Sequence, residues 1–277
     1  DEDLGYLNRP QDRGFSPNPN EAGNDRTFSL DVFPQEFSSD GCSDYRVSSI
    51  EVKNGDGSYA FMGKVSGYNI YPGKYRLEGL PSLFATENDT VDTLEIWLRD
   101  ASTKVTVILC YSVFEEKDII TRAVKVFNGN EKTMYLNRIM STTIDFMESA
   151  FDFVHFDGRH TMERNLTREP ISYGVQSIGS TRGVSSHQHN PFVILCDHDA
   201  NEEYGNCYGF SLVYSGNFRC EVEKDQFDQT RIQFGINPKG FSYQLKPNEK
   251  FIAPEVVLAY SSQGFTKLSH LYHNVYR

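Results

Sequence analysis

Apolar residues recur at every second position over most of this chain, and no other feature of the sequence narrows the fold so far. In "TLEIWLR", Leu94, Ile96 and Leu98 alternate with Thr93, Glu95 and Trp97. In "FRCEVE", Phe218, Cys220 and Val222 alternate with Arg219, Glu221 and Glu223. In "RIQFGI", Ile232, Phe234 and Ile236 lie opposite Arg231, Gln233 and Gly235. Each pattern turns one side of a strand toward a core and the other toward water, as antiparallel sheets do. Turn signals separate the runs at Asn54-Gly55, Asn128-Gly129, Asp157-Gly158, Ser215-Gly216 and Asn237-Pro238-Lys239-Gly240. Between 103 and 156 lie longer strand-like runs, "TKVTVILCYSVF", "IITRAVKVF", "EKTMYLNRIMSTTIDF" and "FDFVHF". No repeat period appears, which argues against a propeller or solenoid. At 277 residues and 13% aromatic content the chain suits one large all-β sandwich.

The period changes only at the end. In "GFTKLSHLYHNVYR", Phe265, Leu268, Leu271, Tyr272 and Val275 fall on one helical stripe, with no stop signal before Arg277. The expectation is a β domain over 1–262 and, over 263–277, the start of a helix leading into a further domain. Residues 1–25, rich in Pro, Asn, Asp and Gly, read as an irregular lead-in.

A net charge of −11 and a pI near 5.1 make a phosphate-backbone partner a poor fit, and nucleic acid is set aside. No apolar run approaches the roughly 18 residues of a membrane span, and "DEDLGYLNRP" is not a signal peptide. Five scattered cysteines without a C-x-x-C pair read as reduced thiols, hence a cytoplasmic protein. Two N-x-T sequons, at Asn88 and Asn165, keep secretion open.

The usual catalytic signatures are absent: no G-x-S-x-G, H-E-x-x-H, P-loop or G-x-G-x-x-G. "CDHD" offers Asp197, His198 and Asp199 as metal ligands, but adjacent strand residues point alternately and a solvated turn fits better. "GVSSHQHNPF" (Gly183 to Phe192) concentrates short hydrogen-bonding side chains with no charged lysine, arginine or carboxylate among them. Ser, Gln and Asn both donate and accept, as sugar hydroxyls do. The stretch reads either as a polar ligand rim or as a loop bonding to its own backbone. In "GCSDYR", Asp44 and Arg46 stand at i and i+2, as an ion pair or as a carboxylate steered onto vicinal hydroxyls by the arginine. Glu255, in "PEVVLAYSS", suits a backbone cap or salt bridge better than catalysis.

Taken together, "DRGFSPNP", "GCSDYR", "YSVFEEKDIITRAVKVFN", "YGVQSIGSTRGVSSHQHNPF", "YGFSLVYSGNF" and "PEVVLAYSSQGFTKLSHLYH" resemble the N-terminal domain of the microbial and fungal α-galactosidases of glycoside hydrolase family 36. The resemblance runs from about Asp12 to Arg277. It implies a β-supersandwich of large antiparallel sheets, joined by a helix to a (β/α)8 barrel that carries the two catalytic aspartates of a retaining mechanism. On that reading this chain holds no catalytic residue, cofactor or metal, and hydrolyses nothing alone. The parent would act on α-galactosides of the raffinose or melibiose type as a homo-oligomer, a tetramer in many members. The resemblance makes Asp44, Arg46, His187, Gln188 and Asn190 the substrate-side residues, on loops reaching a barrel's pocket. One departure stands out: "HTMER" has His160 where the family usually has Trp and Met162 at its first Arg, with Glu163 and Arg164 retained. An indole platform for stacking is lost there. The choice between galactose and N-acetylgalactosamine would rest with the barrel.

Two other classes remain. A free-standing carbohydrate-binding module would bind galactosides alone, although a single Trp is poor material for a stacking platform. A mutarotase-like sugar enzyme would need a convergent acid and base, with Glu255 and a histidine as nominees.

Overall fold

The computed structural model describes residues 30–40 and 44–277. The lead-in over 1–25, with "DRGFSPNP", and Gly41 to Ser43 of "GCSDYR" lie outside the described residues. Sixteen strands and one long helix follow in chain order. They begin with β1 (Ile50–Lys53), β2 (Lys64–Pro72), β3 (Val91–Arg99) and β4 (Val105–Phe114). Next come β5 (Ile119–Asn128), β6 (Met134–Phe146), β7 (Phe151–Arg159) and β8 (Met162–Pro170). Then follow β9 (Gly174–Gly179), β10 (His189–Asp197), β11 (Cys207–Val213) and β12 (Phe218–Lys224). The last are β13 (Thr230–Ile236), β14 (Tyr243–Leu245), β15 (Lys250–Ile252), β16 (Glu255–Ser261) and α1 (Gly264–Tyr276).

Two antiparallel sheets result. The larger has ten strands in the order β2-β3-β4-β5-β16-β11-β10-β7-β8, with β15 also on β5. The smaller has five, β1-β6-β13-β12, with β14 also on β6. Between the sheets lie two apolar clusters. One joins Phe153, Val193, Leu195, Phe210 and Val256 of the large sheet to Phe218, Cys220, Val222, Ile232 and Phe234 of the small one. The other joins Val107, Leu109, Val124 and Val126 to Val52, Leu136 and Ile139.

The alternation of the strands places the next layer. Val154, Ile194, Val257 and Ala259 are one residue out of step with the inner cluster, and pack instead with Leu268, Leu271, Tyr272 and Val275. The predicted helical stripe therefore covers the outer face of the large sheet, and "FVILC" reads as continuously apolar because β10 is buried on both sides. Near β4 and β5 the segment carrying Tyr75 and Leu77 covers the outer face in the same way, over Cys110 and Ala123.

Five positions expected to face water, Thr93, Glu221, Arg231, Gln233 and Gly235, are buried instead. Thr93, Arg231 and Gln233 are all 1% exposed or less. Thr93 hydrogen-bonds the Gly73 carbonyl (2.6 Å) under the 73–83 covering. Arg231 and Gln233 lie on the outer face of the small sheet and donate to the Val47 carbonyl (2.9 and 3.0 Å). The alternation gives parity correctly; it cannot reveal that a distant segment lies over the polar side. Asp157-Gly158, expected as a turn, is instead a bulge inside β7 and not the hairpin turn. The register shifts between Asp157 and Arg159, and the turn falls at His160 and Thr161. A Cβ on Gly158 would lie 2.6 Å from the Met162 carbonyl oxygen, so the crossing strand admits only glycine there.

Candidate functional site

The polar stretch 183–190 joins β9 to β10, and its backbone is tied to neighbouring segments. The Gly183 amide donates to Asn217 Oδ1 (2.6 Å), and the Ser185 amide to the Ser215 carbonyl (2.8 Å). The Gln188 amide donates to Ser186 Oγ (3.3 Å), and the Gln188 carbonyl accepts from the Gly158 amide (3.2 Å). These bonds fix the loop against the β7–β8 hairpin and the 214–217 turn. They leave side chains at its lip: His187 is 65% exposed, and Gln188 accepts a hydrogen bond from Arg182 (3.3 Å). Asn190 is half-buried where β10 begins. His187 Nδ1 lies 3.9 Å from Glu163 Oε1 of the hairpin, so the "HTMER" tip, with His160 exposed, borders the loop.

Asp44 and Arg46 sit elsewhere, in a buried ionic layer on the outer face of the small sheet. Arg46 Nε lies 2.9 Å from Asp44 Oδ1, the ion pair that the i, i+2 spacing allowed. Arg231 of β13 bridges Asp44 Oδ2 (2.8 Å) and Asp145 Oδ1 (2.7 Å), and Arg46 also reaches Asp145 (3.3 Å). Two carboxylates and two guanidiniums thus alternate, each 4% exposed or less at its side chain. Burial pulls the Arg231 pKa down, but its hydrogen bonds and charge contacts with Asp145 and Asp44 outweigh that and raise it. Between the two sequence candidates, Tyr45 projects outward, 80% exposed. No hydrogen bond or ion pair among the described residues links this layer to the 183–190 loop.

A third group was not singled out in the sequence. His155 and Asp157, two apart on β7, present side chains together, and His189 of β10 is in register with Asp157. Both imidazole Nδ1 atoms approach Asp157 Oδ1, at 3.0 Å from His155 and 2.6 Å from His189. Thr167 of β8 donates to the other carboxylate oxygen (2.8 Å). Desolvation favours the neutral acid at Asp157, but Thr167, His189 and His155 together hold its pKa below the usual value. The available signal was the "HFD" spacing in "FDFVHFDG", which puts His155 and Asp157 on one face of a strand. His189 stands between Gln188 and Asn190, and nothing in that local spacing sets it apart from them.

Glu255 is sealed from solvent, paired with the buried Lys74 and accepting from the Leu83 amide (2.6 Å). Its role is the cap and salt bridge expected of it, and no histidine is among these partners. Burial lowers the Lys74 pKa despite that pairing. In "CDHD", Asp197 accepts from the Asn206 amide and side chain (both 2.8 Å), while His198 bonds Asp152 (2.6 Å). Four cysteines, Cys110, Cys196, Cys207 and Cys220, are buried and unpaired among the described residues. Burial pushes the Cys110 and Cys196 thiols up to about 12 and Cys207 to about 11.

Two apolar depressions flank the sandwich. A cleft of about 760 Å³ opens between the sheets, lined by Ile144, Phe146, Tyr208, Leu258 and Tyr260. A groove of about 370 Å³ runs beside α1, lined by Phe156, Leu166, Phe192, Phe265, Tyr272 and Tyr276. Neither includes Asp44, Arg46, His187, Gln188 or Asn190. No helix of the described residues is long and apolar enough to cross a membrane.

Comparison with known proteins accounts for the architecture. The Glycosyl hydrolase family 36 N-terminal domain matches residues 3–246. The bifunctional alpha-galactosidase/sucrose kinase AgaSK of Mediterraneibacter gnavus is 47% identical over 274 residues, 99% of this chain and 29% of that protein. Alpha-galactosidase AgaA of Geobacillus stearothermophilus is 42% identical over 266 residues, 96% of this chain and 36% of that protein. A crystal structure of an AgaA variant in complex with raffinose superposes with a TM-score of 0.94 at 40% identity, covering all of this chain and 38% of that one. Another AgaA variant, in complex with stachyose, gives 0.92 at 42% identity over 96% of this chain and 37% of that one. The chain therefore spans about a third of the length of the curated relatives it matches. On sequence and on fold alike, the chain belongs to the glycosyl hydrolase family 36 N-terminal domain family.

Proposed function

We propose that this chain is the scaffold and substrate-rim domain of a retaining α-galactosidase that removes terminal α-galactosyl residues from oligosaccharides of the raffinose or melibiose type. The observation that carries the proposal is the match across nearly the whole chain to the corresponding third of α-galactosidases crystallised with raffinose and stachyose. The catalytic aspartates belong to the barrel of the parent, and this domain frames its entrance. The 1–262 sandwich forms the frame, and the helix beginning in 263–277 links it to the barrel.

Within the domain, His187, Gln188 and Asn190 serve the sugar side. The backbone bonds of 183–190 support that role, because a pre-ordered loop presents His187 and Gln188 without a further ordering cost. Asp44 and Arg46 contribute through the loop they anchor, which carries the exposed Tyr45 as a stacking surface. Assembly into a homo-oligomer is supported by edge strand β2, which exposes Val65, Tyr68 and Ile70. The buried, unpaired cysteines support a reducing, cytoplasmic setting.

An antiserum raised against this chain tests the reading. It should deplete α-galactosidase activity from an extract of the source cells and detect a polypeptide far larger than 31.6 kDa. A band at 31.6 kDa, or activity left in the supernatant, would refute the proposal. In the full-length enzyme, His187→Ala and Gln188→Ala should raise KM for raffinose with the fold unchanged. An unaltered KM would remove both residues from the substrate side.

A further inference from the structure

We propose that His155, Asp157 and His189 form a binding site for one divalent transition-metal ion of the zinc class. Their donor atoms, one from each side chain, lie within 4.8 Å of one another. Two imidazole nitrogens and a carboxylate oxygen form a mixed set suited to Zn²⁺, with a fourth position left for water. Tetrahedral Zn²⁺ with bonds of about 2.0–2.1 Å holds neighbouring donors about 3.3 Å apart. The present separations from Asp157 Oδ1, 3.0 and 2.6 Å, are those of two protons shared with one oxygen. To reach that spacing the two nitrogens move out from Asp157 Oδ1 by about 0.3 and 0.7 Å, and the imidazole donors, within 4.8 Å of one another, settle about 3.3 Å apart.

The surroundings are those of a ligand set and not of a surface charge cluster. Asp157 Oδ2 is held by the Thr167 hydroxyl at 2.8 Å, which turns Oδ1 toward the two imidazoles. Behind His155, Nε2 lies 3.5 Å from Glu169 Oε1. A histidine that ligates through Nδ1 keeps its proton on Nε2, and a carboxylate facing that proton fixes the tautomer and strengthens the ligand. His155 is further wedged against the Phe153 ring, with centroids 5.0 Å apart. His155 is buried while Asp157 and His189 are half-buried, so the site is rigid at its floor and open at its mouth. The ion would tie β7 to β10 where the 183–190 loop enters the sheet, as a staple for that loop.

Chelator-treated chain titrated with Co²⁺ gives the direct test. The expected result is a visible absorption of a four-coordinate nitrogen and oxygen site that saturates at one ion per chain and is abolished by Zn²⁺. His189→Gln and Asp157→Asn should remove it, and Glu169→Gln should weaken binding by roughly 10–100-fold. Both His189 and Glu169 are partly exposed, so folding of these variants is checked by circular dichroism and does not confound the test. His198→Gln serves as control, since that histidine bonds Asp152 at the far end of the same strand pair. Saturable binding lost in His189→Gln and kept in His198→Gln upholds the site. No saturable binding in the parent chain, or binding unchanged in His189→Gln, overturns it.

Discussion

Arg231 Nη2 lies 2.8 Å from Asp44 Oδ2, a buried contact between groups 187 residues apart that fastens the 44–49 segment to the small sheet. Arg46 and Asp145 complete the layer, so each charge meets two of opposite sign. Removing one member of such a set leaves a buried charge uncompensated, which typically costs about 3–5 kcal/mol. Asp44→Asn is therefore expected to lower unfolding free energy by about that much, measured by urea denaturation. The pair Asp44→Asn with Arg231→Gln should lose less than the two single losses added. Full additivity would mean that the two side chains do not interact.

Glu255 and Lys74 form a second buried pair, with the Leu83 amide on the other carboxylate oxygen. Glu255→Gln is expected to destabilise the fold by about 3–5 kcal/mol. The folded-state pKa of Lys74 is below its ordinary 10.5, so the unfolded chain binds this proton more tightly and stability attributable to Lys74 rises with pH up to 10.5. The deficit of Glu255→Gln should accordingly shrink as pH approaches 10.5 from below. Lys74→Met in the same background should recover part of the loss at neutral pH. A deficit that is flat with pH would assign it to the Leu83 contact.

Burial makes the thiols of Cys110, Cys196 and Cys207 poor nucleophiles, with pKa values raised to about 12, 12 and 11. They should resist a thiol reagent at pH 8 and react on addition of denaturant. Because their folded values exceed the ordinary 9.0, the stability they contribute is complete below pH 9 and falls as pH rises from 9.0 toward 11 or 12. Rapid labelling of the native chain at any of the three would contradict their placement.

Gly264, at the start of α1, has φ of +71°, and a Cβ there would lie 2.2 Å from the Asn201 carbonyl oxygen. Gly264→Ala is expected to cost upward of about 1–3 kcal/mol from backbone strain alone. The helix should loosen first, seen as faster amide exchange at Leu268 and Leu271 than in the central strands. Unchanged exchange would mean that α1 is held by its apolar stripe without this turn.

Local pairing was legible where spacing alone decides it. The i, i+2 spacing of Asp44 and Arg46 correctly offered an ion pair. It could not name Asp145 and Arg231, which reach it through strand order and not through spacing. Within 183–190 Ser186 accepts from the Gln188 amide, as a loop bonding to its own backbone would, whereas His187, Gln188 and His189 face the side chains of Glu163, Arg182 and Asp157. His189 looked like one polar residue among several until register set it opposite Asp157.

By itself the sequence determined the all-β class, the helical stripe of Leu268, Leu271, Tyr272 and Val275, and the family, because periodicity and local motifs are properties of neighbouring residues. Only the tertiary structure decided what covers each sheet face. It put α1 over Val257 and Ala259, brought Asp44 to Arg231, and gathered His155, Asp157 and His189 into one knot. Those outcomes depend on which distant segments meet across and above the strands. Strand period fixes the side on which a residue lies, but not what comes to rest against it.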